Sequence, residues 1–300
     1  MLIAVFDIGG TSIKYGVVDE QGEILFSSSL HTHAHLGGLQ VVRNVIATAK
    51  ELQRDWPIVG VSVSTAGQVD DRGRVIYASD NIPAYTGLHV QEMIAEHLNL
   101  PVVVENDANC AAIGEHWKGA AQGIDNFICI TLGTGIGGAI SLNGKVYTGS
   151  AYSAGEIGHM NLYPNGKPCS CGMNGCYEQY ASSRALQMLV SDRLNEPLSL
   201  TEFFQRVHAK DAQSLQVYER WLDDLTIGLK SIIHFLDPQL VVIGGGISEQ
   251  GDRFLEAIKD ALYPKLMMSH ARNVQIKLAE QGNRAQLLGA AQNFFQFKFE

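Results

Sequence analysis

Apolar positions fall into short runs broken by glycine from the start of the chain. LIAVFDI (2–8), SIKYGVVD (12–19) and EILFSSSL (23–30) predict three strands, separated by Gly9-Gly10 and by Glu20-Gln21-Gly22. Leu39, Val42, Val45, Ile46, Ala49 and Leu52 then recur at helical spacing, and 58–64 reads as a buried strand. A helix over about 91–98 leads through Pro101 into VVVE, and Asp107 stands where it could cap a helix running to about Trp117. FICITLG, a glycine turn, GAISLN and Asn143-Gly144 repeat the hairpin pattern from Phe127 onward. Strand, glycine turn, strand thus occurs twice, as FDIGGTSIKYGVV (6–18) and TLGTGIGGAISL (131–142), which predicts a diverged internal duplication in an α/β chain. Later, Tyr218, Leu222, Leu225, Leu229, Ile232, Ile233 and Leu236 form one helix face that Asp237-Pro238 ends. The strand LVVIGGG follows, and a last helix covers about 285–295.

Composition narrows the class. With 300 residues, 46% of them hydrophobic, the chain can bury a substantial core. A net charge of −9 without any basic run argues against nucleic acid or an anionic membrane as partner, and favours small molecules. MLIAVFDIGG lacks a basic leader and no apolar run reaches the length of a membrane span, so a cytoplasmic location is expected.

The segment GEIGHMNLYPNGKPCSCGMNGCYE (155–178) carries the densest chemistry. His159, Cys169, Cys171 and Cys176 offer one imidazole and three thiols, a set suited to a closed, structural, tetrahedral Zn2+ site in the loop 159–176. Glycines at 166, 172 and 175 and Pro168 let that loop bend tightly. A loop with incidental thiols is the alternative; Cys169 and Cys171 are too close to pair easily, while Cys110 and Cys129 read as core.

Three glycine turns each follow an apolar strand: Gly9-Gly10-Thr11, Gly133-Thr134-Gly135 and Gly244-Gly245-Gly246. Such turns let backbone amides approach phosphate oxygens, although hairpins use the same residues for conformation alone. Neither common nucleotide motif is present. Asp7 lies immediately before the first turn, where its charge would repel a phosphate unless Mg2+ stood between them; a turn aspartate bonding local amides is the alternative. Asp107, in Glu105-Asn106-Asp107, would either cap its helix or take the proton from an attacking hydroxyl. His31, His33 and His35 lack acidic or thiol companions and read as an exposed strand end or loop.

DIGGT (7–11), ENDAN (105–109), LGTGIGG (132–138), GEIGH (155–159), CxCGxxGCxE (169–178) and IGGGIS (243–248) stand in an order and spacing that resembles the ROK family of sugar kinases and repressors across essentially the full length. The resemblance implies an actin-like ATPase fold of hexokinase type, ribonuclease H-like, with two lobes. These would be a small lobe, 1–107, completed by the C-terminal helix of about 285–300, and a large lobe, 108–284. It further implies that Asp107 is the general base for a sugar hydroxyl, and that Asn106, Asp107, Glu156, His159, Glu178 and Gly67 bind the sugar. ATP would be held by Asp7, Gly9, Gly10, Thr11, Lys14, Gly133, Thr134, Gly135, Gly244, Gly245 and Gly246, with Mg2+ reaching Asp7 through ATP. A homodimer is the family's habit.

The expected reaction is phosphorylation of the 6-hydroxyl of glucose or a related aldohexose, with N-acetylmannosamine, fructose or a β-glucoside as alternatives. A sugar-responsive regulator on the same fold is disfavoured, because DIGGT begins at Asp7 with no helix-turn-helix before it. Tyr85, Tyr152 and Met160 are candidate linings for a sugar substituent. Ala66, Tyr177 and Arg284 depart from the family pattern, which commonly has Pro, Leu and Asp there, and none touches Asp107.

Overall fold

The computed structural model describes residues 1–299, with side chains to 296; Glu300, the end of the expected last helix, lies outside the described residues. Contacts divide the chain into two units, one made of 1–123, 144–154 and 280–300, the other of 124–143 and 155–279.

In the first unit, β1 (Leu2–Ile8), β2 (Ser12–Asp19) and β3 (Ile24–His31) form the expected meander. Helix α1 (Gly38–Asp55), β4 (Ile58–Thr65), α2 (Val90–Leu98), β5 (Val102–Asn106) and α3 (Asp107–Lys118) follow. The sheet order is β3-β2-β1-β4-β5, antiparallel through the meander and parallel from β1 onward. Alternation along β1 sends Ala4, Phe6 and Ile8 to the core shared with Val41, Val45, Ala49 and Ile94, and sends Ile3 and Val5 to the opposite face. That second face is covered by the last helix, which supplies Leu287, Leu288, Ala291 and Phe294. With both faces covered, β1 reads as an almost continuous apolar run.

The second unit repeats the plan. β6 (Phe127–Leu132) pairs antiparallel with β7 (Ile136–Leu142), and parallel with β8 (Leu240–Gly244), which in turn pairs parallel with β9 (Gln275–Leu278). Order and direction match β2-β1-β4-β5, so the duplication inferred from two glycine turns is present as topology. The apolar face expected from Tyr218 onward belongs to a helix that begins earlier, α4 (Ala212–Leu236), capped by Asp211. It buries Trp221, Leu225, Leu229 and Ile233. Among the described residues no helix is long and apolar enough to cross a membrane.

The first unit runs on through Gly123, because α3 packs against the last helix, α5 (Ala285–Phe299). Glycine makes that approach possible. A methyl group at Gly289 would meet the carbonyl of Cys110, and one at Gly114 would meet that of Ala285. Buried Glu115 tightens the same region by accepting the amides of Ala120, Glu280 and Gln281 at 2.8, 3.0 and 2.8 Å. Gly289→Ala should therefore destabilise the protein by about 1–3 kcal/mol, although alanine is the better helix former. A urea midpoint equal to or above the parent's would show that the two helices can separate without cost.

Candidate functional site

In the first unit, the C-terminal ends of β1, β4 and β5 lie side by side and place Asp7, Ser64 and Glu105 in register. Chain ends of parallel strands are where α/β sheets present ligand-binding loops. Asp7 Oδ1 accepts from the Ser64 hydroxyl at 2.9 Å, and Lys14 Nζ lies 4.0 Å from Oδ2. Burial still pushes the Asp7 carboxyl above its usual range, and these two partners offset only part of the shift. A nearly buried carboxylate beside an exposed glycine turn suits a hard divalent cation.

Because the folded pKa of Asp7 is raised, the favourable contribution of its protonated form is complete below the unfolded pKa and is lost as pH rises through the folded value. Asp7→Asn should thus raise the urea midpoint more at about pH 8 than at about pH 4. An equal change at both would refute the burial effect.

The turn after β1 is closed by the Gly9 amide on Ser12 O at 3.0 Å and by the Thr32 hydroxyl on Gly9 O at 2.6 Å, leaving Gly10 and Thr11 exposed. At the end of β5 the structure answers the capping question. Asn106 is the N-cap of α3, its side-chain oxygen accepting the amides of Ala108 and Asn109 at 2.9 and 3.1 Å. Its amide group donates to Gly67 O at 2.9 Å and to Asp107 Oδ1 at 3.1 Å. Asp107 is then the first helical residue, accepting the Ala108 amide at 2.8 Å. Glu105, raised in pKa by burial, accepts from the Asn106 amide and Asn109 Nδ2 at 2.7 and 2.9 Å and so braces the corner.

In the second unit, the other two glycine turns sit at the ends of adjacent parallel strands, since Gly244 pairs with Thr131. Gly245, at φ 87°, packs so closely on Leu132 that a side chain there would strike its backbone. The Ser183 hydroxyl and amide both hold Gly133 O, at 2.6 and 2.9 Å, and Gly133 N donates to Gly135 O at 3.0 Å. Thr134, Gly245 and Gly246 are exposed.

The loop after Glu156 gathers His159, Cys169, Cys171 and Cys176 so that their ligand atoms all lie within 4.8 Å of one another. Cys171 Sγ and Cys176 Sγ are 3.6 Å apart, as are Cys169 Sγ and His159 Nδ1. Tetrahedral zinc with ordinary bond lengths would hold two sulfurs about 3.8 Å apart and a sulfur and a nitrogen about 3.6 Å apart. The donor set and its spacing therefore fit such an ion. Burial, with the neighbouring thiols, pushes Cys176 up to about 12, whereas the Met173 amide and the other thiols hold Cys171 below its usual value against the effect of burial.

His159 Nε2 lies 3.9 Å from Glu156 Oε2. Glu178 opens the short helix Glu178–Ala181, and its Oε2 lies 3.4 Å from the Ile136 amide. Gly135 has no side chain to obstruct that carboxylate; a methyl group there would collide with it.

Asp7, Lys14, Gly67, Asn106 and Asp107 are thus assembled in the first unit, and Glu156, His159, Glu178 and the metal ligands in the second. Tyr85 is no lining residue: it is fully buried, its hydroxyl 2.8 Å from that of Thr65, and burial pushes its pKa to about 12. Met160 shares an apolar cavity of about 470 Å³ with Glu156, Ile140 and Phe235. Sequence reading missed Ser64 and Ser183 as supports. Both act through strand register or a distant loop, which no local motif encodes.

A family model described as ROK family matches residues 3–296. A glucokinase of Streptomyces coelicolor is 36% identical, over 95% of each chain. A beta-glucoside kinase of Listeria monocytogenes is 33% identical, over 99% of this chain and 98% of that one. The crystal structure of a ROK family glucokinase from Streptomyces griseus in complex with glucose and AMPPNP superposes with a TM-score of 0.86 at 33% identity, covering 98% of this chain and 99% of the other.

Proposed function

Because the chain belongs to the ROK family, we propose that it is an ATP-dependent sugar kinase transferring the γ-phosphate to a hexose hydroxyl, the 6-hydroxyl of glucose or a related aldohexose. The observation that carries the catalytic part is the cap of α3. Asn106 supplies the two side-chain cap hydrogen bonds of α3, so the Asp107 carboxylate, although it also accepts the Ala108 amide, is not the residue that caps the helix. As the sugar oxygen attacks phosphorus and the bond to the ADP oxygen breaks, Asp107 takes the hydroxyl proton.

Asn106, Glu156, Glu178 and His159 Nε2 hydrogen-bond the remaining hydroxyls, and the Gly67 carbonyl holds Asn106 in place. Amides of the turns at Gly9–Thr11 and Gly133–Gly135 receive the phosphates, with Lys14 adding charge, and Gly244–Gly246 lies beside the nucleoside. Asp7 would hold Mg2+ through ATP, an ion whose contribution is to neutralise charge on the phosphoryl oxygens. His159, Cys169, Cys171 and Cys176 would hold a structural Zn2+.

Two glutamates able to grip vicinal hydroxyls favour an unmodified aldohexose, and the glucokinase relatives support that reading. The beta-glucoside kinase stands at nearly the same identity, so overall similarity does not choose the sugar. A coupled ADP-release assay with glucose, N-acetylmannosamine, fructose and a β-glucoside tests the proposal. Turnover should be greatest with glucose, and no ATP-dependent turnover with any of the four would sink the kinase reading.

A further inference from the structure

Gln179 lies between the metal cluster and the sugar-binding carboxylate, and has no place in the family pattern quoted above. Its side-chain nitrogen is 3.6 Å from Cys169 Sγ and 3.2 Å from Glu178 Oε1. A primary amide has two N–H groups, so one can point to each acceptor. The backbone of the residue is fixed as well: its amide donates to Cys176 O at 3.0 Å, and its carbonyl accepts Lys167 Nζ at 3.3 Å.

Cys169 Sγ and Glu178 Oε1 are only 3.4 Å apart. While the thiol keeps its proton, it donates to the carboxylate. A metal-bound cysteine has lost that proton. The same contact then sets a thiolate against a carboxylate, and both become acceptors without a hydrogen between them. The Gln179 amide is placed to supply one donor to each. Glu178 cannot retreat freely, because its other oxygen faces the Ile136 amide.

We infer that Gln179 is a positioning residue that couples metal occupancy to sugar binding, by donating simultaneously to the Cys169 thiolate and to Glu178. This rests on the zinc and sugar-site readings above. It gives the amide a role that a filler side chain would not have. Removing the donors should weaken metal retention and let Glu178 swing away from the thiolate. Sugar affinity should suffer, while the phosphoryl-transfer step, which belongs to Asp107, should not.

The test compares zinc release from the purified holoprotein to an excess of chromogenic chelator with the hexose KM and kcat. Gln179→Met keeps length without donors, Gln179→Glu keeps shape but adds a charge, and Gln179→Lys restores N–H groups. The Met variant should release zinc about tenfold faster and raise hexose KM about tenfold with kcat little changed, in line with losing a metal ligand's hydrogen-bond partner. The Glu variant should be worse on both measures, and the Lys variant should recover most of the loss.

A Met variant indistinguishable from the parent overturns the inference. So does a change in zinc release without a change in KM, the reverse, or a parent that purifies without zinc. If the parent phosphorylates no hexose, the kinase reading fails, while the order of zinc release among the variants still decides whether Gln179 holds Cys169.

Discussion

Asp107→Asn should lower kcat for ATP-dependent hexose phosphorylation by about 10²–10⁴-fold, the range expected when a positioned general base is removed. Asparagine keeps the shape of the side chain and an oxygen that can still accept the Ala108 amide, now 2.8 Å from Asp107 Oδ1. Helix α3 keeps its cap, because Asn106 supplies both cap hydrogen bonds. The structural cost is limited to losing a negative charge at a helix N-terminus, about 0.3–1 kcal/mol. The thermal midpoint should thus shift little, and hexose KM should change far less than kcat. Steady-state kinetics beside thermal unfolding separates these effects. A kcat within about threefold of the parent would remove Asp107 from the role of base, since proton transfer alone is worth far more than that.

The second large effect concerns the metal. Stripping the ion with a strong chelator, or Cys171→Ser, should raise hexose KM about a hundredfold or more, at the upper end for disrupted metal sites. Besides the ion, the loop would be held by turn hydrogen bonds, such as Cys169 N to Met173 O at 2.8 Å and Gly172 N to Cys169 O at 3.0 Å, rather than by an apolar core. Asn161, Lys167 and Gly175 contribute a few backbone and side-chain bonds, and the Tyr180 hydroxyl accepts the Lys167 amide at 2.6 Å. The apolar core of the second unit takes in Met160, Leu162 and Tyr177 from this stretch, but residues 164–175 supply none of it. With the ligands released, His159 and Glu178 would lose their fixed orientation.

The pH dependence has a definite sign. Cysteine binds a metal as the thiolate, so metal retention should weaken as pH falls. Metal analysis across pH, paired with sugar affinity, checks this. Retention of sugar affinity by a metal-free chain would refute the coupling.

The metal set was the most legible part of the site, because its four donors lie close in sequence and the constraint is local. His159 to Cys176 could be read from spacing, and the structure gathers all four. The glycine turns were legible as turns for the same reason. Asp107 was legible only as two competing roles. A cap and a base use the same residue type at the same place; the structure gives the cap to Asn106, which leaves the base as the proposed role of Asp107.

The helices 183–194, 200–208 and 252–262 lie outside the elements that the sequence pattern above predicts. The register that sets Ser64 beside Asp7 was also missed, since β1 and β4 are brought together from distant parts of the chain.

By itself, the sequence determined the meander, its recurrence after Phe127, the clustering of the candidate metal donors and the family, because these depend on side-chain periodicity and on residues close together along the chain. Tertiary structure decided the strand order shared by the two units, the corner that Asn106, Glu105 and Gly67 build around Asp107, and the bridge from Gln179 to Cys169 and Glu178. Those features depend on distance and direction between groups that local patterning does not order, and only a packed chain fixes both.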